Sequence, residues 1–427
     1  MYELKHSSSF IRNILTSYQH TMRYFFLLSS LIFFNLSYGQ TLVSLPIWNP
    51  ANDQQMRRSD WLIEPQSAKA TIYRTENNKD IILYNGLVKR TFRMAPDLAC
   101  TGYKNLINGV ELLRAVKPEG RLTIDGKDYN IGGLYGQKEN AYLLPGWVDE
   151  MKSSDSSFHF VSFEITPIVP RLKWKTSMWT PNKNQPTGKK ISFKFRSGLE
   201  RLKDLDVFVN YELFDGLPLI SKSVSILNNG SNIFKLERVV NEILGMVEEE
   251  SGVVGSPEQM RKPEGIYVET NYAFNNAMRY DLSDQTSHWK ADSSYTSQVN
   301  YNFQTPCLLE IYTPSAPGID LQPGEVFNSV ISYELLMGSY DRERRGMAVR
   351  KMYRTIAPWT TANPIFMHLV SKNDEQVRTA IDQCATTGYE SLILSFGSHL
   401  NMEDTSADNI RRWKTLAGYA HDRKIFI

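Results

Sequence analysis

The chain has 427 residues, of which 41% are hydrophobic, 12% aromatic and 22% charged. That composition is globular and excludes a disordered, collagen-like or polytopic membrane protein. The length leaves room for two or three domains of ~100–200 residues with large cores. Lys and Arg number 48 against 46 Asp and Glu, a net charge of +2. The first forty residues carry Lys5, Arg12 and Arg23 against Glu3, so the remainder is balanced. Nucleic acid and anionic membranes need a concentrated basic surface and are disfavoured as partners, whereas a neutral substrate fits.

Arg23 precedes the apolar run Tyr24 to Phe34, and Ser37-Tyr38-Gly39 follows with small residues three back and one back from a cut before Gln40. A basic residue, a short apolar stretch and a small-x-small site form a secretory signal. The run is too short for a ~30 Å bilayer, which takes ~20 apolar residues. Residues 1–39 are therefore expected to be removed, with Met22 a possible true start and no cysteine at the cut for a lipid anchor. The mature protein is expected to be periplasmic or secreted, with no membrane attachment. A buried N-terminal helix is the competing reading. Cys100, Cys307 and Cys384 follow the cut, an odd and widely spaced set that makes neither a disulfide framework nor a metal knuckle. Cys384 falls on the apolar face of a predicted helix, and one bridge between Cys100 and Cys307 is possible in an oxidising compartment.

From residue 40 to 340 the sequence reads as short strands separated by turns. Ile81 to Phe92 gives a hairpin bent at Asn85-Gly86, and Arg121 to Ile131 gives another at Asp125-Gly126. Leu202 to Tyr211 and Ile220 to Leu227 frame the turn Asp215-Gly216-Leu217-Pro218, and Phe327 to Leu336 alternates as one final strand. Helical periodicity is nearly absent, which predicts a large antiparallel sandwich. Ser177 to Lys190, rich in Pro, Asn, Lys and Thr, is expected to be a long surface loop.

After Tyr340 the pattern changes. Met347, Val349, Met352, Tyr353 and Ile356 fall at helical intervals before Pro358, predicting a linker helix within 341–360. Pro364 to Val370 is a continuous apolar run suited to a strand buried on both faces. A helix follows, capped by Asn373 or Ser371, with Val377, Ala380, Ile381, Cys384 and Ala385 on one face and Gly388 as its stop. Ser391 to Phe396 is a second strand, and Ile410, Trp413, Leu416, Ala417 and Ala420 mark another helix. Ile425-Phe426-Ile427 reads as the opening of a third strand. This is a parallel βαβαβ series. A (β/α)8 barrel takes ~250 residues, so 361–427 is expected to be an incomplete N-terminal part of one, or else a small α/β appendage. The fold class expected is thus multidomain β plus α/β: a large antiparallel β-supersandwich followed by the first βαβαβ units of a TIM-type barrel.

The segments Asn85 to Phe92 and Tyr211 to Pro218, the helix Glu343 to Trp359 and the stretch Asn363 to Asp404 resemble exported bacterial glycoside hydrolases related to α-galactosidases, families 36, 31 and 97. The resemblance covers most of residues 70–427 in architecture and phrasing, without a catalytic signature. It implies a galactose mutarotase-like supersandwich ahead of a catalytic barrel, and a carbohydrate partner. It also implies two carboxylates flanking the glycosidic bond. Those lie after the fourth and sixth barrel strands in the α-galactosidase clan, beyond this chain, so the catalytic residues stay unassigned. The clan's second strand usually ends in paired aspartates and Gly-Trp; Ser395-Phe396-Gly397-Ser398-His399 stands there instead, which puts galactose itself in doubt.

Barrel sites form at the C-terminal ends of the strands. On that rule His368 and the loop residues His399, Asn401, Glu403 and Asp404 are the candidates for binding sugar hydroxyls. His368 reads equally as a core histidine, Glu403 as solvated surface, and Asp404 as a helix-start residue favoured by the helix dipole. Among the tryptophans, Trp179 in its polar loop is the one to test for stacking on sugar. No phosphate-cradling loop, zinc spacing, calcium loop or nucleophile elbow is present, so neither metal nor cofactor is expected. A carbohydrate-binding sandwich without catalysis is the alternative function. A mutarotase-like or lyase enzyme is a third reading; a mutarotase would need a His acid and a carboxylate base in the sandwich, where His159 and His288 show no partner motif.

Overall fold

The computed structural model describes residues 41–53, 60–172, 185–249, 262–272, 283–295, 306–315, 317–361 and 364–427. The proposed signal segment and Trp179 lie outside them. The described residues fall into two compact units, one drawn from Met1–Ser59, Gln66–Ile168 and Gly188–Gly338, the other from Asp60–Pro65, Val169–Thr187 and Ser339–Ile427.

The first unit is built of strands. β1 (Thr71–Arg74), β2 (Asp80–Tyr84), β3 (Val88–Arg93) and β4 (Ala99–Asn105) form a four-stranded antiparallel sheet in chain order. Next come β5 (Leu113–Ala115), β6 (Gly120–Ile124), β7 (Lys127–Ile131), β8 (Phe158–Pro167), β9 (Gly188–Ser197), β10 (Leu205–Phe214) and β11 (Leu219–Asn228). They are followed by β12 (Phe234–Val240), β13 (Glu242–Met246), β14 (Ile266–Thr270), β15 (Ser287–Lys290), β16 (Leu308–Ile311), β17 (Ile319–Leu321), β18 (Val326–Asn328) and β19 (Ser332–Leu336). Among the described residues an eleven-stranded sheet runs β14-β19-β11-β10-β9-β8-β7-β6-β12-β17, with β18 beside β11, and a four-stranded sheet runs β15-β16-β13-β5. One continuous core takes residues from all three sheets. β9 shows why: Ile191, Phe193 and Phe195 are fully buried while Lys190, Ser192 and Lys194 alternate outward, the period-two pattern of a strand with one face on a core. Burying each such side chain stabilises the fold by ~1.5–3 kcal/mol.

Both expected hairpins form. At Asp125-Gly126 both residues have positive φ, +48° and +76°, as a two-residue hairpin turn with the twist of its strands requires. At Asn85-Gly86 the bend takes in Leu87 as well, and Asn85 is buried. Its amide donates to Phe214 O and Leu217 O, each at 2.6 Å, while its Oδ1 accepts from Leu87 N and Val88 N. Asp215 serves the β10–β11 turn and accepts from Ala70 N at 2.7 Å. Gly132 follows β7 at φ +55°, where a Cβ would lie 2.4 Å from Leu98 O, so only glycine fits.

Several expectations need correction. Phe327 to Leu336 is two short strands, β18 and β19, both paired with β11; between them the Ser329 hydroxyl accepts from Val224 N and donates to Asn241 Oδ1, breaking the ladder. β7 meets β8 in parallel at Ile131 and Phe158, so the large sheet is not wholly antiparallel. Gly188 to Lys190, expected in a loop, opens β9. Cys100 and Cys307 are free and buried; the Cys100 sulfur accepts instead from Arg90 Nε at 3.3 Å, and burial pushes its thiol up to about 12.

In the second unit helix α1 (Arg342–Ile356) starts where Asp341 accepts from Arg344 N at 2.9 Å. The Arg344 guanidinium grips Asp60 through both nitrogens, at 2.8 and 3.0 Å, and Lys351 donates to Trp61 O and lies over the Trp61 ring. β20 (Phe366–Leu369) then pairs in parallel with β21 (Ser391–Leu394). Helices α2 (Asp374–Thr387) and α3 (Ala407–Asp422) pack on one side of the pair through Val377, Ile381, Cys384, Leu416 and Ala420. Phe426 forms a parallel bridge with Ser391, putting a third segment beside β21 in chain order. The expectation that β20 is buried on both faces fails. Met367 and Leu369 pack against the helices, whereas Phe366 and Val370 are 49% and 56% exposed. Alternation sends every second residue to the face that no helix covers among the described residues.

Candidate functional site

In parallel α/β units the loops leaving the carboxyl ends of the strands meet on one side. Here those loops are residues 370–373 after β20 and 395–406 after β21. Asn373 caps α2, its Oδ1 accepting from Gln376 N at 2.9 Å, while Gln376 Oε1 accepts from Lys372 N at 2.8 Å. That fixes the helix start and places Asp374 in its first turn.

His399 is held at the centre of this side. Its backbone N–H donates to Ser371 O at 2.9 Å, Nδ1 lies 2.9 Å from Ser371 Oγ, and Nε2 lies 2.7 Å from Asp374 Oδ1. Arg412 on α3 closes the chain with Nε at 2.9 and 3.0 Å from the two Asp374 oxygens. The Arg412 and His399 hydrogen bonds hold the Asp374 carboxyl below the usual range. Serine, histidine and aspartate in file could suggest nucleophilic catalysis. Ser371 is only 1% exposed, however, so its hydroxyl is closed to substrate and the set pins the β21–α3 loop to the start of α2. Replacing His399 by alanine is expected to cost about 1–2 kcal/mol from lost hydrogen bonds and to speed amide hydrogen exchange in residues 395–406. Unchanged exchange there would contradict the pinning role.

The other candidates are placed differently. Asn401 Oδ1 accepts from Glu403 N at 3.0 Å, and Asp404 Oδ1 accepts from Ser406 N at 2.8 Å. Asn409 Nδ2 donates to both Asn401 O and Asp404 O. Ser406 caps α3, so Asn401 and Asp404 shape an exposed loop leading into that helix, with Glu403 between them on the surface. The hydrogen bonds from Ser406 keep the Asp404 carboxyl low. His368 stands apart on the uncovered face of β20, opposite Ile393 in the strand register. The structure thus joins His399 to Ser371, Asp374 and Arg412, which sequence reasoning did not select; the visible signal was an acidic residue directly after a helix cap.

In the first unit the sequence missed two histidine partners. His159 Nδ1 lies 2.9 Å from Asp97 Oδ2, and Asp97 also accepts from Leu98 N and Phe160 N. His288 stacks on Tyr312 with centroids 3.8 Å apart. A cluster of charged side chains is sealed in the core. Arg90 donates to Glu334 and Glu242, each at 2.9 Å. Lys222 donates to Glu242 at 2.6 Å and to Glu119 O at 2.5 Å, and the Tyr211 hydroxyl donates to Glu119. Arg90, Lys222, Glu119, Glu242 and Glu334 are each at most 1% exposed, so the cluster is structural. Among the described residues no group of three or more His, Cys, Asp or Glu is disposed to hold a metal ion.

Comparison with solved structures returns glycoside hydrolases and a mutarotase-related enzyme. The GH36 alpha-galactosidase AgaB from Geobacillus stearothermophilus aligns with TM-score 0.47 and 12% identity over 83% of this chain and 56% of that one. The alpha-galactosidase from Lactobacillus brevis gives 0.44 and 11% over 85% and 55%. A galactose mutarotase related enzyme from Lactobacillus acidophilus gives 0.28 and 11% over 61% and 99%. The chain spans about half the length of the alpha-galactosidases it matches. No family model and no curated protein matches it. The fold class follows from the strand order and pairing described above.

Proposed function

We propose that the chain is the N-terminal portion of an exported, α-galactosidase-like glycoside hydrolase that cleaves glycosidic bonds in oligo- or polysaccharides. Its catalytic carboxylates would come from barrel strands beyond those described. The supporting observation is the succession in one chain of a large β-sandwich, a capped helix and a parallel β20–α2–β21–α3 series with Phe426 bridged alongside. The apolar face carrying Phe366, Val370 and Ile393 is what a closed barrel turns inward and fills with side chains. Of the candidate residues, His368 on that face is the one to meet a sugar hydroxyl, because the His399 ring is already bound on both sides.

Reading the encoding locus past the codon for Ile427 tests this. An open frame of about 200 further residues with carboxylates ending later strands supports it. An immediate stop makes the barrel-like unit ancestral and favours the binding-module alternative. Export is tested by the N terminus of the secreted protein, expected at Gln40; an intact N-terminal segment would contradict it.

A further inference from the structure

A pocket of about 360 Å³ opens on the first unit beside β6, β7, β13 and β16. Val116, Leu134, Ile243 and Leu308 give it an apolar wall. The same lining carries the polar side chains of Lys117, Arg121, Asn130, Tyr135, Gln137 and Glu310.

Each polar group is fixed before any ligand arrives. Arg121 Nη2 donates to Glu310 Oε1 at 2.9 Å, and Lys290 donates to the other Glu310 oxygen at 2.6 Å. Lys117 Nζ lies 2.9 Å from Asp292 and 3.0 Å from Ser294 Oγ, while Arg114 donates to the same Asp292 oxygen at 2.7 Å. Asn130 donates to the Tyr135 hydroxyl at 2.8 Å. Gln137 is bound at both ends, accepting from Val116 N and donating to Arg114 O. Burial acts to raise the Glu310 carboxyl, but the Lys290 and Arg121 contacts prevail and hold it below the usual range.

The chemistry of the lining selects the class of ligand. Cations and carboxylates are already paired with each other, so an anion gains little by entering. A ring whose hydroxyls both donate and accept can meet guanidinium, ammonium, amide, phenol and carboxylate together, and its C–H face can lie on the apolar wall. The volume is at the small end of ligand pockets (~300–1,000 Å³) and suits one ring rather than a chain. Side chains fixed in advance lose little freedom on binding.

We propose that this pocket binds a single neutral hexose unit, separately from any catalytic site at the strand ends. The choice of a sugar over other polyols rests on the hydrolase reading above. Titration calorimetry of the mature chain with D-galactose and D-glucose tests it, with a dissociation constant on the order of millimolar expected for so small a ligand. Arg121→Ala and Asn130→Ala, each checked for an unchanged melting transition, are both expected to weaken binding about tenfold or more. Lys203→Ala, an exposed site on the same unit, should leave it unchanged. Binding that survives both pocket variants but is lost in His368→Ala overturns the pocket while leaving the hydrolase reading intact. Failure of both hexoses to bind also overturns it, and the hydrolase reading is then judged separately by the reading frame and by glycoside turnover.

Discussion

Replacing Arg90 by alanine is expected to destabilise the β unit by about 3–5 kcal/mol or to prevent its folding, as removal of one partner from a buried charge set does. The guanidinium is wholly buried, donates to Glu242 and Glu334, and lies over the rings of Tyr103 and Tyr211 at 4.7 and 4.8 Å. Alanine would leave the Glu242 charge with Lys222 alone, and Lys222 also serves Glu119. Combining Arg90→Met with Glu242→Gln and Glu334→Gln removes the stranded charge together with its partner and should recover part of the loss. Urea unfolding measures both. A single variant within about 1 kcal/mol of the parent would mean that these charges do not compensate one another.

Stability is expected to fall as pH rises from about 5 to about 8. Burial raises the Glu334 carboxyl from 4.5 to about 8, the neighbouring Glu242 charge adds to the rise, and Arg90 opposes it. Glu242 moves the other way: burial would raise it, but Arg90 and Lys222 hold it low. One proton on Glu334 therefore leaves the Arg90 guanidinium paired with the Glu242 charge. In the unfolded chain Glu334 ionises near its ordinary value. Between the two values the folded state holds a proton that the unfolded state lacks, so raising pH favours unfolding. The steepest slope for one group is about 1.4 kcal/mol per pH unit. Carboxylates held low, such as Glu242 and Glu310, contribute below this window. Glu334→Gln should flatten the slope while keeping the fold. A parent protein whose urea midpoint is level or rising over this range, or a glutamine variant with the parent's slope, would contradict the assignment.

Much of the fold was legible because it is written in local pattern. Alternation along β9, the Asp125-Gly126 turn and the helical spacing of Val377, Ile381 and Cys384 each declare an element within a dozen residues. What packs against an element is not local. The apolar run from Pro364 to Val370 carries the composition of a strand covered on both faces, yet helices cover one face and the other is exposed. The buried ion cluster was invisible for the same reason: Arg90 and Glu334 are 244 residues apart and sit in different sheets, and only the packing of those sheets on one core brings them together. His399 was selected for its place after a strand, but its partners Ser371 and Asp374, and the Arg412 that holds Asp374, come from other positions around the layer. One residue meant for substrate is thereby tied to the scaffold. His368, also selected by place, lies exposed on the face of β20 that no helix covers among the described residues.

Turnover by the complete product of the encoding locus decides the central proposal. Assayed with aryl α- and β-glycosides of galactose, glucose and related sugars, it should release the aryl group from at least one of them, through a carboxylate pair outside residues 41–427. Absence of turnover on every glycoside, by a folded and exported protein, would contradict the glycoside-hydrolase reading.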